Sequence, residues 1–228
     1  MQKPMPPSSG TRWSAAPAKS SKWVTSLFPT RAYAMQAKMG FSEYQDFYFR
    51  AVHALEPDPL AYWLKTKEEQ QKYVDALAGG DKIELRGPNV DLSLSIRGRI
   101  FKNSHGRFNM PDGEIFTGPV ESSLNGWVNY TYPAMHEGHG VESAELHFKD
   151  GRVVKAASNT EQDYLQAQLK TDAGADYVGE FAIGLNKDID RFTGHILLDE
   201  KIGGSFHMAL GAGYPETGSQ NKSASTGT

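Results

Sequence analysis

Apolar and polar residues along this chain change rhythm once, near Asp81, and the change separates two sets of elements. Before it, apolar positions recur at helical spacing. Thr30 to Lys38 predicts a helix with Thr30 as its N-cap. Ser42 to Leu55 predicts a second, capped by Ser42 with Gln45 three residues on, and with Tyr44, Phe47, Phe49, Val52 and Leu55 along its apolar face. The turn Glu56-Pro57-Asp58-Pro59 leads into a long helix over Leu60 to Leu77, which Gly79-Gly80 ends. Within it, the charged run Lys65 to Lys72 predicts a solvated face with i,i+4 pairs such as Lys65 with Glu69. Ahead of these helices, Trp23 to Phe28 predicts a short buried strand ended by Pro29.

From Asp81 onward the period is two. Lys82 to Leu85 and Asp91 to Ile96 alternate as strands with one wet face do. Glu114 to Val120, Gly126 to Tyr132, Glu142 to Phe148 and Arg152 to Ala157 add further strands, the last two joined by the hairpin signal Lys149-Asp150-Gly151. Thr160 to Leu169 predicts one more helix with Thr160 as cap. The expected class is α+β: helices over residues 22–80, then an antiparallel-rich sheet domain over residues 81–228. Residues 1–21 are rich in Pro, Ser, Lys and Ala without apolar period, and predict a disordered or out-of-frame tail.

Composition narrows the class of partner and ligand. With 39% apolar residues the 228-residue chain can build a core, while a mean hydropathy of -0.53 keeps it clear of membrane-protein composition. A net charge of -3 offers no general attraction to phosphate backbones or anionic lipid, so neither nucleic acid nor membrane is expected as a partner. The first residues lack an apolar signal core, and no run of about 18 apolar residues occurs, which predicts a cytoplasmic location. Without cysteine, any metal must be held by oxygen and nitrogen donors.

Two segments offer such donors. In Asn109-Met110-Pro111-Asp112-Gly113-Glu114, turn formers deliver Glu114 to the start of the β-prone run Ile115-Phe116-Thr117. In Gly203-Gly204-Ser205-Phe206-His207, missing side chains let the backbone come close to an ion beside His207. Carboxylate oxygen with imidazole nitrogen suits Zn, Co or Mn. Glu180 sits in the apolar run Val178-Gly179-Glu180-Phe181-Ala182-Ile183, where an unpaired carboxylate costs several kcal/mol, so a cation is expected beside it. Tyr214 follows His207 across Gly211 and Gly213, a bend able to aim its hydroxyl back toward the donors. His136-Glu137-Gly138-His139 falls short of H-E-x-x-H, because position 140 is glycine, and predicts a loop. Asp199 and Glu200 are left unassigned, since Glu200 and Lys201 can pair locally. The phosphate-cradling, dinucleotide and G-x-S-x-G motifs are absent from the sequence.

The segments N-M-P-D-G-E-I-F-T, G-R-V-V-K-A, T-D-A-G-A-D-Y-V-G-E-F-A-I-G-L-N, L-L-D-E-K-I-G-G-S-F-H-M-A-L-G and G-Y-P-E-T-G resemble the thermophilic metallo-aminopeptidases of the aminopeptidase T and aminopeptidase S type, in the same order, over roughly Lys22 to Ser223. The resemblance implies release of N-terminal amino acids from peptides at a two-metal site, a homodimer, and a further α/β domain ahead of the part seen here. It places metal ligands on Glu114, Glu180 and His207, Glu180 as ligand or general base, and the active-site tyrosine on Tyr214. The family pattern then ends in N-x-S-A-x-H-W-D-M. Here Asn221, Ser223 and Ala224 fit, but Thr226 and Thr228 stand in place of the histidine and aspartate. Codons for Ser-Thr-Gly-Thr and a stop, read one base out of frame, can spell an apolar residue followed by His-Trp-Asp-Met. The expectation is therefore a frameshifted end and an impaired enzyme. The alternatives are a non-catalytic binding or remnant domain and, more distantly, a glycosidase using Glu114 and Glu180, in which His207 has no role.

Overall fold

The computed structural model describes residues 22–227. The tail expected over 1–21 and Thr228 lie outside them. Strand β1 (Thr25–Ser26) is two residues long and pairs in parallel with β5 (Asn109–Met110). The buried strand expected over Trp23 to Phe28 is thus much shorter, and its apolar residues are largely exposed: Val24 by 56% and Phe28 by 80%.

Helix α1 (Arg31–Gln36) begins as expected, with the Tyr33 N–H donating to the Thr30 hydroxyl. Helix α2 (Phe41–Ala51) starts two residues earlier than a Ser42 cap allows. Gly40 is its N-cap, and Glu43, not Gln45, reaches back to accept from the Gly40 N–H. Helix α3 (Pro59–Leu77) is capped by Asp58, whose carboxylate accepts from Ala61 N–H at 2.9 Å. Its charged run does carry the Lys65–Glu69 pair, yet Gln70 in the same run is buried against the sheet.

Two five-stranded sheets follow. The first has the order β11 (Arg152–Ala157), β10 (Glu145–Lys149), β7 (Asn125–Asn129), β3 (Val90–Ser95), β2 (Lys82–Gly87), all antiparallel. The β10–β11 turn is Asp150-Gly151, both at positive φ, as the hairpin signal predicts. The second has the order β14 (Thr226–Gly227), β13 (Phe206–Gly211), β12 (Val178–Gly184), β6 (Glu114–Thr117), β4 (Lys102–Ser104). Between them lies the main core: Leu92, Leu94, Val128, Leu146 and Phe148 meet Ile115, Phe181 and Met208. Each such side chain, once buried, contributes about 1.5–3 kcal/mol.

His136-Glu137-Gly138-His139 is a hairpin rather than an irregular loop, with β8 (Ala134–His136) and β9 (His139–Val141) turning through positive-φ Glu137 and Gly138. Helix α4 (Gln162–Gln168) is capped by Glu161 in the left-handed region, not by Thr160, whose hydroxyl instead ties Glu142 N–H to Gly140 C=O. A second core joins α2 to the segment around short helix α5 (Ile196–Asp199): Tyr44, Phe47 and Ala51 pack on Ile189, Leu198 and Ile202. That packing anchors the chain that crosses the second sheet.

Candidate metal centre

The register of the second sheet assigns its two faces. Glu180 pairs with Ala209, Ala182 with His207 and Phe116, and Gly184 with Glu114. Alternation then puts Glu114, Phe116, Glu180 and His207 on one face, separated by the small residues Ala182, Gly184 and Ala209. Ile115, Phe181 and Met208 point the other way, into the core. A register shift between Val178 and Glu180 sets this phase. The small residues make room for a crossing chain. A Cβ on Gly184 would lie 2.2 Å from the Ile202 carbonyl oxygen, so the segment carrying Glu200 and Lys201 lies directly on the sheet there.

The turn before Glu114 is held from several sides. Asp112, fully buried, accepts from Gly106 N–H (2.6 Å), the Ser104 hydroxyl (2.9 Å) and Gly113 N–H (3.0 Å). Gly113, at φ 113°, abuts Asn186, and Asn186 donates to the carbonyls of Asp112 and Ala51 at 2.9 Å each. Gln70 of α3 donates to the backbone carbonyls of Ser104 and Glu114. Glu114 therefore sits at a rigid turn-to-strand junction, as its sequence context predicts.

Among the described residues, Glu114, Glu200 and His207 each bring a donor atom within 4.8 Å of the other two. His207 Nε2 lies 3.7 Å from Glu114 Oε2 and 3.9 Å from Glu200 Oε1. Lys201 Nζ lies 2.9 Å from Glu114 Oε1 and 2.8 Å from Glu200 Oε2. Glu180 is buried beside this group but falls outside its closest set. Tyr214 is part-exposed, with its ring centroid 5.2 Å from that of Phe116.

Burial dominates the ionisation of these groups. It raises the Glu114 carboxyl to about 7 against the opposing pull of Lys201. Burial, then the charges of Glu114 and Glu200, push Glu180 well above the carboxylate range. His207 is lowered to about 4 by burial, with Glu200 opposing, and stays neutral at physiological pH. Burial and then Glu180 raise the Tyr214 hydroxyl, which keeps its proton. For Lys201, burial works against the charge, but Glu114 and Glu200 more than offset it and hold the ammonium above the ordinary lysine range.

The donor set fits a divalent ion. Glu114 Oε2 and both ring nitrogens of His207 are buried without a hydrogen-bond partner, an unfavourable arrangement that a cation would relieve. Two carboxylates and a neutral imidazole are also the donors that borderline metals take, and three protein ligands leave a position open.

The structure brings the sequence candidates Glu114 and His207 together, and adds Glu200, which the sequence left unassigned, and Lys201. Their local pair exists, as expected, yet it is formed inside the site rather than in solvent. The available signal was the setting: Asp199-Glu200-Lys201 is enclosed by Ile196-Leu197-Leu198 and Ile202, and precedes His207 by one Gly-Gly turn.

Comparison with known proteins places the chain in a family. The family model described as thermophilic metalloprotease (M29) matches residues 8–227. Aminopeptidase AmpS of Bacillus subtilis is 26% identical over 217 residues, covering 89% of this chain and 52% of the relative. Aminopeptidase 2 of Geobacillus stearothermophilus is 28% identical, covering 89% and 54%, and aminopeptidase T of Thermus thermophilus 25%, covering 90% and 53%. The chain thus spans about half the length of the curated relatives it matches. In fold it is similar to the solved structure of AmpT from Thermus thermophilus, with a TM-score of 0.70 at 24% identity over 82% of this chain and 51% of that one. A 2,5-dihydroxypyridine dioxygenase from Pseudomonas putida shares the fold more distantly, with a TM-score of 0.54 at 15% identity over 72% and 55%. With the family match running over nearly its whole length, the chain belongs to the thermophilic metalloprotease (M29) family.

Proposed function

We propose that this chain carries the catalytic part of a metal-dependent aminopeptidase that releases N-terminal amino acids from peptides. The observation that carries the reading is the meeting of Glu114 and His207, whose Oε2 and ring nitrogens are buried without a hydrogen-bond partner, on one face of the second sheet with Glu200 of the segment that crosses it. Zn²⁺, Co²⁺ or Mn²⁺ would be held by Glu114 and His207, with Glu200 as a third donor and Glu180 as a further candidate ligand in a dinuclear site. When bound, such ions supply Lewis acidity to the scissile carbonyl and to an attacking water.

The chain's own residues do the rest. As the alternative to a ligand role, Glu180, its carboxyl raised by burial and neighbouring charge, would in its ionised form take a proton from water and pass it to the departing amine. Tyr214 retains its hydroxyl proton and donates it as a hydrogen bond to the developing oxyanion. His207 remains neutral and offers a lone pair. A homodimer acting on peptides in the cytoplasm, with no nucleic-acid or membrane partner, completes the reading. The net charge of -3 speaks against a phosphate-backbone partner, and no described helix is long and apolar enough to cross a membrane.

Thr226 pairs with Gly211 at the edge of β13, the strand of His207, and stands where the resemblance puts a histidine ligand. With that position and Thr228 occupied by threonine, a two-ion cluster is short of donors, and this polypeptide is an impaired member. Hydrolysis of leucyl-p-nitroanilide with added Zn²⁺, Co²⁺ or Mn²⁺ tests the reading. Weak, chelator-sensitive release is expected, with a large gain in the double variant Thr226→His, Thr228→Asp. No release from either protein under any metal would favour the non-catalytic alternative, and release insensitive to chelator would contradict metal dependence.

A further inference from the structure

The turn that carries Tyr214 is built onto the end of the strand that begins with Glu114. Tyr214 caps a single 3₁₀ turn, Pro215–Thr217. Its carbonyl oxygen accepts twice from Thr217, from the backbone N–H at 3.0 Å and from the hydroxyl at 2.7 Å. That hydroxyl belongs to a fully buried residue and accepts in turn from the Gly118 N–H at 3.1 Å, directly after β6. A Cβ on Gly118 would lie 2.6 Å from Ser219 Cβ, so the chain after the turn is seated on the end of the strand with no space between. Beyond the turn, Glu121 accepts from the Ser219 hydroxyl and the Gln220 N–H and closes the loop. On this mounting the Tyr214 ring meets Phe116, which shares the sheet face of Glu114, Glu180 and His207. Burial, then the charge of Glu180, raises its hydroxyl, which places the phenol beside those groups.

We propose that Thr217 is a positioning residue for Tyr214, its buried hydroxyl tying the Tyr214 carbonyl to the Gly118 N–H and so fixing the phenol relative to the strand of Glu114. The inference rests on the reading of Tyr214 as the oxyanion donor and adds what aims it. With 39% of its surface exposed, Tyr214 is not held by enclosure alone, so its backbone sets where the phenol lies. A donor to a developing charge works only when it is held in place beforehand, and a misplacement of about 1 Å can cost on the order of 100-fold in rate. A side chain that only filled the space would need no hydroxyl, and valine would serve as well.

The test is fluorine NMR of the full chain labelled with 3-fluorotyrosine, the Tyr214 resonance being assigned by its loss in Tyr214→Phe and the fold of each variant established by circular dichroism. Thr217→Val keeps the side-chain volume and removes the hydroxyl. It should shift or broaden the Tyr214 signal while leaving the other tyrosines unmoved, and Thr217→Ser should restore the wild-type signal. An unchanged Tyr214 signal in folded Thr217→Val, or none restored by Thr217→Ser, would overturn the proposal. In metal-loaded hydrolysis of leucyl-p-nitroanilide, Thr217→Val should lower kcat roughly 10–100-fold with KM unchanged. Added to Tyr214→Phe it should cost nothing further, because a residue that acts through the phenol has no effect once the phenol is gone. An equal loss in both backgrounds would mark Thr217 as structural only and refute the proposal. No metal-dependent release from the wild type, or release from Tyr214→Phe as fast as from the wild type, would overturn the oxyanion reading instead, and the fluorine signal would separately report whether Thr217 holds the ring. Should Thr217→Val fail to fold, hydrogen exchange on the wild type decides: a Gly118 amide protected like those of β6 supports the tie, and one that exchanges freely refutes it.

Discussion

The charged runs at Lys65–Lys72 on α3 and at Asp199–Lys201 at the end of α5 look alike in the sequence, each mixing acid and base, yet they end in opposite surroundings. Lys65 and Glu69 pair across one turn with 74% and 58% of their side chains exposed. Lys201 pairs with Glu114 and Glu200 with 1% of its own exposed. In the first run water screens every charge, and an ion pair there is worth about 0–1 kcal/mol. In the second, the same residue types are desolvated and shift one another's ionisation, as groups at the proposed cation site would. What separates the two is the chain around them: α3 turns its polar face outward, whereas Leu197, Leu198 and Ile202 are buried and draw the charges between them under cover.

Substitutions at the two runs should therefore differ by orders of magnitude. The largest effect is expected for His207→Ala or Glu114→Gln, either of which should abolish calorimetrically detectable Zn²⁺ binding while leaving a cooperative thermal transition. Glu200→Gln comes next, with affinity reduced by roughly 10–100-fold, the range for groups that ligate or orient; unchanged affinity would remove Glu200 from the site. Solution pH gives the third comparison. Glu114 is raised to about 7 and so holds a proton below that pH, which a metal must displace, whereas His207, lowered to about 4, has none to lose near neutrality. Affinity should accordingly rise by roughly tenfold between about pH 6 and about pH 8, with proton release measurable in buffers of different ionisation enthalpy. A flat profile would mean that Glu114 is not the titrating ligand.

Smaller still, Gly184→Val should cost about 1–3 kcal/mol of stability by forcing the Ile202 backbone off the sheet. It should also weaken metal binding, because Glu200 moves with that segment. Smallest of all, Lys65→Gln or Glu69→Gln should change stability by less than about 0.5 kcal/mol and metal affinity not at all.

The same contrast explains which parts of the molecule were legible in the sequence. Strands β2 and β3 and the β10–β11 hairpin have one wet face or a turn with its own chemistry, and their alternation or their Asp-Gly pair reveals them. Thr30 capped α1 as its local chemistry dictates. The caps of α2 and α4 were misplaced because Gly40 and Glu161 act through backbone geometry that no side-chain preference announces. Glu114 and His207 were legible from turn formers, glycines and family resemblance together. Glu200 and Lys201 were not, because an acid followed by a base ordinarily pairs in solvent. Only the close approach over Gly184 brings them onto the sheet. Gln70 was concealed in the same way, a polar residue in a polar run whose amide supports the backbone of Glu114.

The central claim is that Glu114, Glu200 and His207 form one cation site, and anomalous diffraction from crystals soaked in Zn²⁺ tests it most directly. A peak bounded by Glu114 Oε2, Glu200 Oε1 and a ring nitrogen of His207, with Lys201 still on the outer carboxylate oxygens, is the predicted result. A fully soaked crystal with no peak there, or with Zn²⁺ held only at surface carboxylates or at His136 and His139, would contradict it.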